Sequence, residues 1–201
     1  MICRNRNEAL YSMNNHIVES SLKDVKTMKD IERRLVSELM KNCRRSDREL
    51  AKALGVSQPT VSRNLQKLEK EGIIKEYTVV PDFLKLGYTL MAVTFVRLEE
   101  PLSQDKFEKA RESARESLKS NLNVFMLERG IGMGHNGVIL SFHKDYATFT
   151  DLKKWLTQFE FLKISDIESF LINLEDETHY RPLTFSTLAK HFSEQHQQKT
   201  A

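Results

Sequence analysis

Two rhythms of apolar positions divide this chain. Met28, Ile31, Leu35 and Leu39 recur at helical spacing and predict a helix running from about Thr27 to Asn42–Cys43. A second helix follows at once. Ser46 can cap it with Glu49 three residues on, Leu50, Ala53 and Leu54 supply its apolar stripe, and Gly55 stands where a left-handed residue ends a helix. Ser57 then caps a third helix with Pro59 in its first turn. Val61, Leu65 and Leu68 form its inner stripe and Gly72 stops it. Ile73, Ile74, Tyr77, Val79 and Val80 are strand formers up to Pro81, so a strand is expected directly after the third helix.

Beyond a connector at 82–88 the rhythm changes. Thr89–Leu98 reads as a strand, and Pro101 and Ser103 open a helix with Phe107, Ala110, Ala114 and Leu118 at helical spacing. Val124–Arg129 and Gly137–His143 read as strands around the turn GIGMGHN. Asp145 can cap a helix whose stripe is Phe149, Leu152, Leu156 and Phe159, and Ile164–Leu174 closes as a strand. The order β-α-β-β-α-β predicts a ferredoxin-like sheet with two helices on one face. The fold class is therefore α+β, a winged helix-turn-helix at 27–81 followed by a ferredoxin-like domain at 89–175. The first strand is apolar on both sides, with Leu90, Ala92, Val96 and Leu98 on one and Met91, Val93 and Phe95 on the other. Two helices cover one face only, so a second subunit is expected against the other. Residues 1–26 are polar with scattered apolar positions, compatible with one amphipathic helix or with none. In the tail at 176–201, Phe185, Leu188, Ala189 and Phe192 mark a short helix that can pack on its own domain or reach a neighbouring subunit.

Charge sharpens this picture. The 201 residues carry a net charge of only +3, but Lys41–Lys75 holds nine Lys/Arg against four Asp/Glu. A basic window coinciding with a helix-turn-helix is the electrostatic footprint of a DNA-binding module. The outward face of the third helix carries Pro59, Arg63, Gln66, Lys67 and Lys70, flanked by Thr60 and Ser62. Small hydroxyls, amides and cations on a short helix suit the DNA major groove. Candidate DNA contacts are Ser57, Gln58, Thr60, Ser62, Arg63, Gln66 and Lys67. Of these, Ser62, Arg63 and Gln66 are expected to read bases, while Arg44, Arg45, Arg48, Lys52 and Lys75 hold phosphates.

Two cysteines, Cys3 and Cys43, are too few for a disulfide framework, and the chain lacks an apolar run of membrane-spanning length. The N-terminus MICRNRNEAL carries no secretory apolar segment, so a cytoplasmic protein is expected. Cys43 beside Arg44 and Arg45 reads either as an oxidant-sensing thiol or as a plain loop residue.

The turn at Arg129–Asn136 supports two readings. Gly130, Gly132 and Gly134 can bare backbone N–H groups toward an anion, with Arg129 as a carboxylate fork and His135 and Asn136 as polar handles. Equally, the glycines can serve only the backbone of a hairpin. His135 and His143 are neither close in sequence nor joined by carboxylates at ligand spacing, so no metal site is expected. Neither a catalytic triad nor a cofactor site can be assembled.

Taken together, ELAKALGVSQPTVSRNLQKLEKEGIIKEYTVV, then KLGY, then the β-α-β-β-α-β domain with its Gly-rich turn resemble the Lrp/AsnC family of prokaryotic transcription regulators. The likeness runs from about Met28 to Glu175. It implies a DNA-binding dimer or higher assembly and an amino acid or similar metabolite held at GIGMGHN near a subunit contact. The chain differs from that family in its terminal extensions and in a first helix, KDIERRLVSELMKN, without the usual Leu-Asp opening. Siroheme decarboxylases look like the same family in both domains, and His135 and His143 could be cast in an enzyme's role. Those enzymes typically carry an Arg/Gly-containing motif just after the wing, where this chain reads IIKEYTVV. An effector-independent architectural DNA-binding protein is the other alternative.

Overall fold

Caps and apolar spacing place the first three helices. In a computed structural model, described for residues 28–98, 104–158, 164–178 and 183–194, they are α1 (Asp30–Lys41), α2 (Asp47–Leu54) and α3 (Gln58–Lys70). The Glu32 carboxylate accepts the Lys29 backbone N–H at 2.9 Å, which starts α1 at Asp30. Ser46 and Glu49 close a capping box, Ser46 N–H to Glu49 Oε2 at 2.7 Å and Glu49 N–H to Ser46 Oγ at 3.3 Å. Gly55 ends α2 at φ 70°, a backbone state that costs any residue with a Cβ. Leu35, Leu50, Leu54, Val61 and Leu68 form the core, with Met28, Ile31, Leu39, Leu65 and Ile74 packed around them.

Two expectations for this unit are corrected. Ala51, not Ala53, joins Leu50 and Leu54 in the core, and Ala53 is exposed. In so short a helix one extra apolar position shifts the buried stripe by a residue. The segment after α3 is also not a strand. The N–H groups of Ile73 and Ile74 both donate to Leu68 O, at 2.9 and 3.2 Å. Tyr77 Oη donates to Glu69 at 2.7 Å, and the Cys43 thiol to Thr78 O at 3.2 Å. A strand needs a neighbouring ladder, and here the chain fastens to the helices instead.

Two units make up the chain. The first joins residues up to Val79 with those from Leu183 onward. Its last helix, α6 (Ser186–Glu194), lies against α1. Ala189 is fully buried there, and Ser37 Oγ donates to Ala189 O at 2.9 Å. The tail helix thus adds a fourth helix to the winged-helix unit, with Leu188 left 52% exposed.

The second unit spans Val80–Pro182. Its elements are β1 (Leu90–Leu98), α4 (Gln104–Leu118), β2 (Val124–Gly132), β3 (His135–His143), α5 (Tyr146–Thr157) and β4 (Ile164–Asn173). The sheet runs β2-β3-β1-β4 with every neighbour antiparallel, the order of a ferredoxin-like fold. Asp145 caps α5 through the Thr148 N–H at 2.8 Å. Leu152 and Leu156 of α5 pack on Val96 and Ile139, and Thr94 meets Ser169 on the same side of the sheet at 3.0 Å. The strand register puts Met91, Val93 and Phe95 in line with Phe142, Leu140 and Val138 on one side and Ile172, Phe170 and Glu168 on the other. That opposite face is partly covered within the unit: Phe83 stacks on Phe142 at 3.8 Å, and Phe125 does so at 4.8 Å. Phe170 stays 66% exposed.

The reading of residues 1–26, the side chains of Phe107, Ala110 and Ala114, and the residue Phe159 lie outside the described residues. No helix among the described residues is long and apolar enough to cross a membrane.

Candidate nucleic-acid interface

Recognition by a helix depends on which of its side chains are free to leave it. At the start of α3, Ser57 Oγ accepts the Thr60 N–H and lies 2.9 Å from Thr60 Oγ1, so both hydroxyls serve the cap. Past the cap, Arg63, Gln66 and Lys70 are exposed along the outer side of α3, and Gln58 is exposed in its first turn. Arg63 Nε–H donates back to Pro59 O at 3.2 Å, which lays the side chain along the helix. Its two Nη groups carry the remaining four guanidinium donors, the fork that suits a guanine edge.

Two expected DNA contacts are committed elsewhere. Ser62 Oγ donates to Asp47 Oδ2 in the first turn of α2, tying the two helices of the motif together. Lys67 Nζ pairs with the buried Glu32 of α1. The Lys67 ammonium, with help from the Lys29 N–H, holds the Glu32 carboxyl below the usual carboxylate range. Spacing alone put Ser62 and Lys67 on the solvent side or its flank. The tertiary packing sets α2 and α1 beside those flanks, and each hydroxyl or ammonium meets an acid there.

Around α3 the cations divide in the same way. Arg44, Arg48, Lys52 and Lys75 are exposed, with Arg48 and Lys52 one helical turn apart on α2. Arg45 is paired with Glu38, which also takes Lys41 at 2.6 Å. These cations, Lys41 first, lower the Glu38 carboxyl. Glu32, Glu38 and Asp47, absent from the sequence reading, thus decide which basic groups remain for a ligand. Only their place in a first or last turn hinted at it. Cys43 is half-buried, its thiol bonded to Thr78 O.

The Gly-rich segment of the second unit is a tight hairpin. β2 and β3 run further than expected, to the pair Gly132–His135, leaving Met133 and Gly134 as a two-residue turn at φ 51° and 77°. Positive φ at both positions is the geometry that matches hairpin twist. Gly130 and Gly132 lie in β2 with open space where a side chain would stand, and neither has positive φ. The backbone donors therefore do not converge as an anion nest, which needs alternating helical hands. Arg129 is exposed and Asn136 half-buried, whereas His135 is 4% exposed. Arg97 crosses to the turn, its Nε–H donating to Gly134 O at 2.6 Å.

Residues 28–75 match a family model described as winged helix-turn-helix DNA-binding. An uncharacterized HTH-type transcriptional regulator of Pyrococcus abyssi is 33% identical over 146 residues, covering 69% of this chain and 93% of that protein. The chain belongs to the Lrp/AsnC family. An uncharacterized HTH-type regulator of Pyrococcus horikoshii is 37% identical over 76 residues, 38% of this chain, and is matched over about half (51%) of its own length. Among solved structures, an AsnC family transcriptional regulator from Agrobacterium tumefaciens superposes with a TM-score of 0.61 at 20% identity, covering 80% of this chain and 99% of that one. The feast or famine regulatory protein of Mycobacterium tuberculosis, solved with L-methionine, gives 0.62 at 22% identity over 79% and 99%. At such identities the likeness speaks for the fold. Membership in the family makes this chain a DNA-binding transcriptional regulator.

Proposed function

We propose that this Lrp/AsnC regulator binds specific DNA sites in the cytoplasm as a dimer or higher assembly, with an amino acid or similar metabolite modulating it. One observation carries the DNA reading: Gln58, Arg63, Gln66 and Lys70 are exposed along one helix, and Arg44, Arg48, Lys52 and Lys75 are exposed around it. Amides and a guanidinium supply base-reading donors, and the outer cations supply phosphate contacts. Ser57, Thr60, Ser62, Arg45 and Lys67 support this face by holding it in shape.

The open sheet face favours a second copy, because Val93, Phe95 and Phe170 remain in part uncovered by their own unit. The methionine held by the Mycobacterium tuberculosis relative supports an amino-acid effector, for which the β2–β3 hairpin is the candidate site. In this chain Arg129 of that hairpin is exposed and Asn136 half-buried, and both carry polar groups suited to a carboxylate.

Genome-wide mapping of bound DNA, followed by titration of the recovered site, tests the reading. Arg63→Ala is expected to cost about 1–3 kcal/mol at that site and to relax one base pair. Lys75→Ala should weaken all duplexes alike and lower the salt slope by about 1. Equal losses on specific and random DNA for Arg63→Ala would remove Arg63 from base readout.

A further inference from the structure

β4 lies beside β1 in a register that sets Asp166 opposite Arg97 and Glu168 opposite Phe95. Two residues apart on one strand, the carboxylates share a sheet face. The Met133–Gly134 turn brings His135 to the same place from β3, where its ring lies 6.0 Å from that of Phe95. His135 Nδ1 is 2.9 Å from Met133 O. A carbonyl oxygen only accepts, so Nδ1 is the donor, and Nε2 is the ring nitrogen turned to Asp166. Nε2 is buried, has no hydrogen-bond partner, and lies 3.6 Å from Asp166 Oδ2. An Nε2 lone pair and a carboxylate oxygen at that distance repel unless a cation lies between them.

We propose that His135, Asp166 and Glu168 bind a divalent transition-metal ion, with zinc the best match to one imidazole nitrogen and two carboxylate oxygens. Their ligand atoms all lie within 4.8 Å of one another. Donors about 2.0–2.2 Å from a tetrahedral zinc stand roughly 3.3–3.6 Å apart, so small side-chain rotations close the set around the ion. Three protein ligands leave a fourth position for water. The Nδ1–H bond to Met133 O is the orienting contact that metal-binding imidazoles usually carry. Arg97 competes for this site: its Nη2 is 3.5 Å from the same Asp166 oxygen, while its Nε stays on Gly134 O. With a neutral imidazole, two carboxylates and one guanidinium leave a negative balance that either a metal ion or a second proton on His135 relieves. A bound metal ion ties the hairpin turn to β4; a proton does not.

The experiment separates the two. The full chain, stripped with chelator, is titrated with zinc chloride by calorimetry at neutral pH. The expected result is one site per chain of micromolar affinity or tighter, weakened at least tenfold by Asp166→Asn and by Glu168→Gln. Both carboxylates are at least partly exposed, so neither change threatens the core. Arg97→Met should tighten zinc binding by removing the competing charge. Imidazole nitrogen NMR of His135 should show Nε2 shifting on zinc addition. Millimolar zinc affinity, affinity unchanged in both carboxylate variants, or an Nε2 that carries a proton at neutral pH and ignores zinc would each overturn the proposal.

Discussion

The helix-turn-helix and the glycine hairpin are both short, glycine-containing motifs, yet they are held by opposite kinds of contact. Around α2 and α3 the bonds that start and order the helices span three or four residues: Ser46 with Glu49, Ser57 with Thr60, Asn64 with Thr60 O. Around the hairpin they are long-range: Arg97 reaches Gly134 across 37 residues, and His135 faces Asp166 of another strand. Local bonds repeat wherever the same residue types recur at the same spacing. Long-range bonds exist only once the sheet has set its register.

The largest effect expected from testing this contrast comes from the core of the first unit. Leu68 is fully buried among Leu35, Leu50 and Val61. Leu68→Ala should destabilise that unit by about 2–5 kcal/mol. Scanning calorimetry should show its transition falling while that of the ferredoxin-like unit holds; a joint fall would mean that the two units melt as one.

A smaller effect separates the glycines of the hairpin. Gly134 sits at φ 77°, and a Cβ there would stand 2.7 Å from Arg97 Nη2. Gly134→Ala should cost about 1–2 kcal/mol from the left-handed backbone alone. Gly132→Ala meets nothing within 4 Å and has no positive φ, so it should be neutral or gain a few tenths of a kcal/mol in a strand. Chemical denaturation of the two variants checks the order. Equal losses would return both glycines to a single role.

The smallest effect is a pH slope. Burial lowers the His143 pKa, so the folded state holds a proton on this ring less readily than the unfolded chain does. Below about 6.5, the ordinary histidine value, the unfolded chain binds more protons than the folded one. Stability of the second unit should therefore be flat above that pH and decline as pH falls below it. Thermal melts across this range should show the decline in the parent protein and a shallower one in His143→Gln. A slope that survives the substitution would assign it to another group.

Much of the candidate interface was legible in residue spacing. Arg63, Gln66 and Lys70 lie opposite Val61 and Leu68, and a single helix puts them in solvent whatever else the chain does. Ser62 and Lys67 stand at the flanks, where exposure depends on the neighbouring helix, and Asp47 and Glu32 capture them. The wing failed as a strand for a related reason: Ile73, Tyr77 and Val79 have strand-forming side chains, but a strand is made by its partner. The expected positions of β2 and β3 missed their ends because the turn was assigned to all of GIGMGHN, while two residues sufficed once Met133 accepted positive φ.

By itself the sequence determined the helices, the four strands of the sheet, their order and the outer face of α3, because caps, stripes and turns act over one or two helical turns. Only the tertiary structure decided that the tail helix buries Ala189 against α1, that Lys67 and Arg45 are paired, and that His135, Asp166 and Glu168 meet. These depend on register and packing between segments far apart in the chain. Residue spacing does not encode that distance until the sheet and the helical core have closed.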